Sequence, residues 1–550
     1  VNVRTRFVTD ALLCVLAAVL TFSAFPTAWA PDLTFWPLLW VSQVPLLWIV
    51  RDKAPRAAFL WGLACGTLIN AGGYYWIAEM LQRFGHLPWP VAGLGLLLHS
   101  VYVGSMWGLW TWGMNRVANT TRVPIQWAAP LVMVAVERVV PRIFPAFMGN
   151  SQYPFTTLMQ IVDVTGIYGV TFLLYRVNAV VFLWCRALFE ARPRPWTASG
   201  TTAALLAVTL VYGAIRVAQV DEAVRQAPKL EVGLVEGDIG IFEVETQDRI
   251  RNHLLIQQHL SAKLAAEGVQ LILWPESAYR AGEIPDQRAQ RWPPASTPLV
   301  SDWTEDRKRR TPHEDRVAPQ RGFDVPLLLG ATSRAPRPAP RFEGDTPDMY
   351  FNSVFLLDGG GQVAGRYDKN YLLVGGEYIP FSEHFPWIFK WIPAAGDLQP
   401  GESLHPIEAD LWGVGPVRIG VLVCYEGILP GFARGLAAGR PHFIVNGTND
   451  DWFGLTAERW LHFALTIPRA IEHRVAVLRP TLTGVSAIVD PVGRIIAHTA
   501  PTGPETLRWS VPLLQGETLY QRYGDVFAWA CVGLVGCALA YGAARRASLG

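Results

Sequence analysis

The sequence predicts a multi-pass α-helical membrane domain of about eight spans joined to an α/β domain with a large central sheet. Three observations predict it. The 550-residue chain is 51% hydrophobic and only 17% charged, with mean hydropathy +0.22, more apolar than a soluble protein of that length. Its long apolar stretches gather at the two ends of the chain. Between them, short β-branched runs alternate with segments of helical spacing.

Charge and cysteine content narrow the function. A net charge of +2 is too near neutral to suggest a nucleic-acid partner. Of the six cysteines, Cys14, Cys65, Cys185, Cys531 and Cys537 sit in apolar stretches, and Cys424 alone lies in the polar central region. That region has no CxxC pair or Cys/His cluster, so neither a metal site nor a disulfide framework is expected, and no cofactor. A solitary thiol in a domain facing an oxidising compartment is a candidate nucleophile.

A helix needs about 20 mostly apolar residues to cross the hydrocarbon core. Stretches meeting this run over roughly 9–28, 33–50, 57–81, 91–114, 123–140, 161–183 and 201–220, with a last at 526–544. The first also fits a signal peptide, with Arg4 and Arg6 before its apolar core and Ala28-Trp29-Ala30 after it. The spans that follow favour its retention. With the N-terminus inside, the inner loops 51–56, 116–122 and 186–194 and the tail at Arg545 and Arg546 all carry positive charge, as the positive-inside rule asks. Arg83, Arg138 and Arg142 are exceptions. After seven crossings, residues 221–520 are expected outside the membrane on the non-cytoplasmic side. The expected organisation is thus 1–220 membrane domain, 221–520 extracytoplasmic domain and 521–550 closing span with a cytoplasmic tail. Aromatics near span ends (Trp36, Trp40, Tyr74, Trp76, Trp107, Trp110) read as interfacial anchors or packing.

In the central region, residues 230–235, 271–274, 325–329, 353–357, 417–423, 442–445, 475–478 and 485–489 read as strands. Residues 250–267 have helical spacing and end at Gly268, a C-cap. Residues 455–474 are also helical, with Pro468 implying a kink or a fresh start. The charge-crowded stretch 302–321 reads as an exposed loop or insertion. The aromatic stretch 381–392 is consistent with core packing or with a lid that touches lipid.

Three strand ends carry reactive groups. The run 417–423 stops abruptly at Cys424-Tyr425-Glu426-Gly427, at the mouth of a sheet, where α/β proteins bind ligands. Leu271-Ile272-Leu273-Trp274-Pro275-Glu276 places a carboxylate just past a strand that the proline terminates. Arg366-Tyr367-Asp368-Lys369 places a lysine after 353–357 and its glycine turn. Alone, such a Glu or Lys is ordinarily a solvated surface residue. A free thiol titrates near about 8.5, so a thiol nucleophile calls for a nearby base and cation.

Together these motifs resemble the nitrilase superfamily: a Pro-Glu, a Tyr-Asp-Lys and a strand-end cysteine followed by an aromatic and Glu. With the spans and Gly376-Glu377-Tyr378-Ile379-Pro380, the chain is similar over nearly its whole length to the apolipoprotein N-acyltransferases, a membrane-anchored branch of that superfamily. Asn446-Gly447-Thr448-Asn449-Asp450-Asp451-Trp452-Phe453 and Arg469-Ala470-Ile471-Glu472 add to the likeness. The resemblance implies a nitrilase-like αββα sandwich with Glu276 as general base, Lys369 as charge stabiliser and Cys424 as nucleophile. Glu377, Tyr425 and Glu426 match supporting positions, with Glu426 orienting either Lys369 or the base.

What the resemblance implies is a ping-pong transfer at the periplasmic side of a bacterial inner membrane. Cys424 takes an acyl chain from a phospholipid, phosphatidylethanolamine by expectation, as a thioester. The α-amine of a diacylglyceryl-cysteine in an apolipoprotein then receives it. The alternative is a membrane-tethered nitrilase-like amidase or acyltransferase with another acceptor. A silent scaffold or transporter is a third reading, which an intact Glu/Lys/Cys set argues against. Besides the unusual charged insertion before Val325, two segments depart from the family pattern, Val235-Glu236-Gly237-Asp238-Ile239 and Thr481-Leu482-Thr483-Gly484. Both bear on the acceptor pocket and neither touches the three proposed catalytic residues.

Overall fold

The structure is a computed structural model and describes residues 3–240, 247–284, 299, 318–340, 345, 347–382, 384–385, 396–500 and 502–547. The chain divides into two compact units, Val1–Gln219 with Thr456–Glu472 and Thr518–Gly550, and Val220–Leu455 with His473–Glu517.

In the first unit a helix falls on each predicted apolar segment. Five described helices are long and apolar enough to cross a membrane: Arg4–Phe22, Trp89–Thr121, Tyr168–Phe189, Trp196–Gln226 and Val526–Arg545. The other segments are shorter or broken, for local reasons. Pro37 and Pro45 divide 33–50 into a 3-10 turn, Trp36–Trp40, and the helix Val44–Val50. The stretch 57–81 becomes Pro55–Gly73 and Trp76–Arg83, parting after the Gly72–Gly73 pair. The stretch 161–183 does not become helical throughout: Gly166, at φ +61°, separates a short turn from Tyr168–Phe189.

Helices Pro55–Gly73 and Trp89–Thr121 cross through two small-residue pairs. A Cβ on Gly66 would stand 2.4 Å from the Gly104 carbonyl oxygen, and one on Gly62 would stand 2.4 Å from that of Trp107. Gly62-x-x-x-Gly66 faces Gly104-x-x-x-Gly108, the pattern that lets helix backbones approach in a bilayer. Trp76, Trp107 and Trp110 are buried, so these three are packing residues, with Trp110 donating to the Ala129 carbonyl. Arg138 pairs with Asp525 at 3.3 Å, and Arg142 donates to the Ala146 and Glu137 carbonyls.

The second unit holds thirteen described strands: β1 (Lys229–Glu236), β2 (Leu271–Leu273), β3 (Tyr279–Ile284), β4 (Leu327–Pro336), β5 (Asp348–Leu357), β6 (Val363–Asp368), β7 (Ile407–Ala409), β8 (Val417–Val423), β9 (Phe443–Gly447), β10 (Ala476–Arg479), β11 (Ala487–Val489), β12 (Ile495–His498) and β13 (Glu505–Pro512). One sheet runs β13-β1-β2-β4-β5-β6 with β3 on β4, and the other runs β12-β11-β10-β9-β8-β7. Two sheets therefore replace the single large sheet expected from composition, as the family resemblance implied. Alternation explains the layers. Leu230, Val232 and Leu234 share a core with Val417, Ile419 and Val421, so these faces of the two sheets meet. Ile272, Leu327 and Leu329 point the other way, onto Leu254 and Leu264 of helix Gln247–Ala266. That helix ends before Gly268, at φ +84°, as its C-cap spacing predicts. Thr456–Glu472, which belongs to the first unit, holds the helix Glu458–Thr466, and Pro468 opens a fresh one, Pro468–His473.

The charged stretch 302–321 lies outside the described residues up to 317. Most of 381–392 does too, though Phe381 and Phe385 are described and exposed.

Candidate active site

The three sequence-predicted residues meet at the ends of β2, β6 and β8. Strand β8 delivers Cys424, which opens a 3-10 turn (Cys424–Ile428) with φ +51°, a left-handed conformation uncommon outside glycine. Asn446 on the neighbouring β9 donates to the carbonyls of Leu422 (3.3 Å) and Cys424 (3.2 Å), holding the turn where the chain leaves the sheet. Glu276 follows β2 through Trp274-Pro275, and Lys369 follows Asp368 at the end of β6.

All three side chains are buried, Lys369 at 2% exposure, Glu276 at 5% and Cys424 at 8%. Yet they line one cleft of about 590 Å³ with Asn352, Glu377, Trp452 and Phe453. Lys369 Nζ lies 2.8 Å from Glu377 Oε1 and 3.6 Å from Glu276 Oε1. Asn352 of β5 bridges the same two acids, donating to Glu276 Oε1 at 2.6 Å and to Glu377 Oε1 at 3.2 Å. Glu377 also accepts from the Leu373 N–H at 2.8 Å. Glu276 Oε2 has no nitrogen or oxygen donor among the described residues, which leaves it open to the Cys424 thiol, a side chain that favours the ionised carboxylate.

Burial and charge set the protonation states. Burial presses the Lys369 pKa down, but Glu377 and Glu276 outweigh it and hold the ammonium well above its ordinary value. Burial raises Glu276, and Lys369 offsets this in part. The Cys424 thiol is pushed well above its ordinary range by burial and then by Glu276, with Lys369 opposing. The lysine's pull on the thiol is present, but desolvation opposes it, so a base is needed to take the proton as the sulfur attacks.

Glu426 makes no hydrogen bond to Lys369 or Glu276, although the charge of Lys369 favours its ionised form. It accepts from the N–H groups of Asn370 (2.7 Å), Tyr371 (2.9 Å) and Val423 (2.8 Å) and from the Tyr367 hydroxyl (3.0 Å). It therefore ties the chain leaving β6 to the chain leaving β8, fixing the lysine's strand exit to the nucleophile's. Burial pushes its pKa up to about 7. Tyr425 is buried, its ring 5.8 Å from that of Tyr371. Sequence reasoning passed over Asn352 and took Asn446 only as part of a family-like segment. A signal existed for both, a carboxamide inside an otherwise apolar strand, where a buried polar group needs partners. Among the described residues no group of three His, Cys, Asp or Glu side chains is placed to hold a metal ion.

A two-sheet domain with an acid, a lysine and a cysteine at strand ends defines the class. Residues 223–515 match the carbon–nitrogen hydrolase family, and residues 17–180 match the apolipoprotein N-acyltransferase N-terminal domain. An apolipoprotein N-acyltransferase of Geobacter metallireducens is 33% identical over 538 residues, 95% of this chain and 93% of that one. Another, of Bdellovibrio bacteriovorus, is 28% identical over 483 residues, covering 84% and 81%. Among solved structures, a mutant of the Nesterenkonia AN1 amidase from the nitrilase superfamily aligns over 54% of this chain and 94% of its own, at 18% identity and TM-score 0.34. The chain belongs to the apolipoprotein N-acyltransferase family.

Proposed function

We propose that this protein is a bacterial inner-membrane enzyme that moves an acyl chain from a phospholipid, through a thioester on Cys424, to the N-terminal α-amine of a diacylated apolipoprotein. About eight spans anchor it, and the 221–520 region works on the periplasmic side, where both lipid-anchored substrates present their reacting groups. The observation that carries this reading is the convergence of a buried thiol, an ion-paired ammonium and a carboxylate with an open lone pair on one cleft.

The chemistry follows from those groups. Cys424 Sγ attacks the ester carbonyl while Glu276 takes the thiol proton, a transfer that its raised pKa favours. Lys369 and the Tyr425 N–H stabilise the oxyanion as the carbonyl becomes tetrahedral. The C–O bond breaks, the lysophospholipid alkoxide takes the proton from Glu276, and the acyl chain stays on sulfur. In the second half the amine attacks the thioester carbonyl, gives a proton to Glu276, and the C–S bond breaks. Glu276 then returns the proton to sulfur, leaving the site as it began. Glu377 and Asn352 keep Lys369 and Glu276 fixed throughout.

Incubation with phosphatidylethanolamine and a diacylated lipopeptide tests the reading. A triacylated peptide detected by mass supports it. Hydrolysis of a simple amide with no triacylated product overturns it in favour of an amidase.

A further inference from the structure

The two segments that depart from the family pattern pack against each other behind one wall of the cleft. The Ile239 N–H donates to the Leu482 carbonyl at 3.1 Å, and Glu236 accepts from the Thr481 hydroxyl at 3.2 Å and the Ser486 N–H at 3.1 Å. In front of them residues 448–450 are laced to 480–483: Thr448 N to the Pro480 carbonyl, Leu482 N to that of Thr448, and Asp450 N to that of Thr483. At the centre of this seam is an ion pair with no water contact. Arg479 Nη2 lies 2.8 Å from Asp450 Oδ2, both side chains at 0% exposure, and Nη1 donates to the Val485 carbonyl at 2.7 Å. Gly484, at φ +126°, lets the carboxylate lie against bare backbone, since a Cβ there would stand 2.6 Å from Asp450 Oδ2.

Asp450 is followed by the turn Asp451–Phe453, and Asn449, Trp452 and Phe453 form a wall of the cleft that Cys424 also lines. The pair therefore holds the root of that wall back toward β10. We infer that Arg479 and Asp450 are positioning residues that fix this wall and so set the path by which a lipid-sized acceptor reaches the sulfur. This rests on the reading given under Proposed function for the nature of the acceptor, but not for the geometry. Buried charges suit such a task. Separating the two would cost each buried charge its ion pair, which favours this one arrangement of the seam.

The test uses the full chain in detergent and compares two thiol reagents at Cys424, read from the mass of its peptide. Iodoacetamide needs little room, whereas N-hexadecyl maleimide must bring a long chain past the wall. Asp450→Asn frees the wall to relax into the cleft, and Gly484→Ala pushes Asp450 the same way with both charges kept. Both are expected to slow the long-chain reagent about tenfold or more while leaving iodoacetamide within about twofold, since displacements near 1 Å carry effects of this size. Arg479→Lys, which keeps the charge, gives an intermediate value and serves if Asp450→Asn fails to insert. In the acyl transfer itself, KM for the lipopeptide rises, and loading of Cys424 from a long-chain phospholipid slows in parallel with the maleimide. Equal slowing of both reagents, or no slowing of either, overturns the inference. A wild type inert toward phospholipid and lipopeptide sinks the functional reading instead and leaves the reagent comparison intact.

Discussion

Asn352→Leu removes the one side chain that donates to both buried acids while nearly keeping its volume. The amide's bonds to Glu276 Oε1 (2.6 Å) and Glu377 Oε1 (3.2 Å) are hydrogen bonds to charged acceptors. Each such bond contributes about 1.5–3 kcal/mol. Asn352 favours the ionised form of Glu276, against a burial effect that raises its pKa. Without the amide the carboxylate holds its proton more tightly, so the base is available only at higher pH. One lost bond of that size displaces the acid limb of the acylation pH profile upward by about 1–2 pH units. The assay is single-turnover release of lysophospholipid from a fluorescent donor, across pH 5–9, by the full chain in micelles. An acid limb that stays in place, with the rate merely scaled down at every pH, would refute the argument that Asn352 tunes Glu276.

Further expectations concern positions away from the reacting atoms. Burial pushes the Glu236 carboxyl from its ordinary 4.5 up to about 7, so its folded pKa exceeds its unfolded one. Stability from this group is then fully present below about pH 4.5 and lost as pH rises through 7, a difference of about 3 kcal/mol by pH 8. Glu236→Gln flattens the change in thermal midpoint between pH 5 and pH 8, and a slope equal to that of the wild type counts against it. Asn446→Leu frees the Cys424 carbonyl from its partner on β9 and lowers acylation about 10–100-fold; iodoacetamide reactivity of Cys424 reports the same loss, and unchanged reactivity speaks against the role. Gly104→Leu drives a side chain into the backbone of Gly66 and Thr67, where even a Cβ would be 2.5 Å from the Thr67 nitrogen. Protein that still inserts and resists proteolysis like the wild type would contradict the crossing described here.

Much of the site was legible because its signals are local. A β-branched run that stops at Cys424, a proline that ends β2 before Glu276, and the placement of every other cysteine in apolar sequence all precede any folding. Strands with apolar runs were legible for the same reason, and β8 has the bounds its sequence predicts. The strands β3, β6, β7, β12 and β13 were not. They are short or carry charged and exposed residues, such as Arg366 in β6 and Ile495 in β12, and β3 and β13 pair with strands far along the chain, β4 and β1. The role of Asn352 was hidden for a related reason. Its meaning depends on two acids that lie 76 and 25 residues away and meet it only in the folded domain. Glu426 carried a readable label but not a readable job, because three of its four partners are backbone N–H groups. The Gly-x-x-x-Gly pairs of the membrane helices stood in the sequence, yet which two helices they join emerges only from the packing.

Whether sulfur carries the acyl chain decides the mechanism. Donor phospholipid alone, with no acceptor, should add one acyl mass to the Cys424 peptide. Hydroxylamine should remove it, and Cys424→Ala should not acquire it. A peptide that stays unmodified while the wild type still forms triacylated lipopeptide, or an acyl mass persisting in Cys424→Ala, would contradict the account.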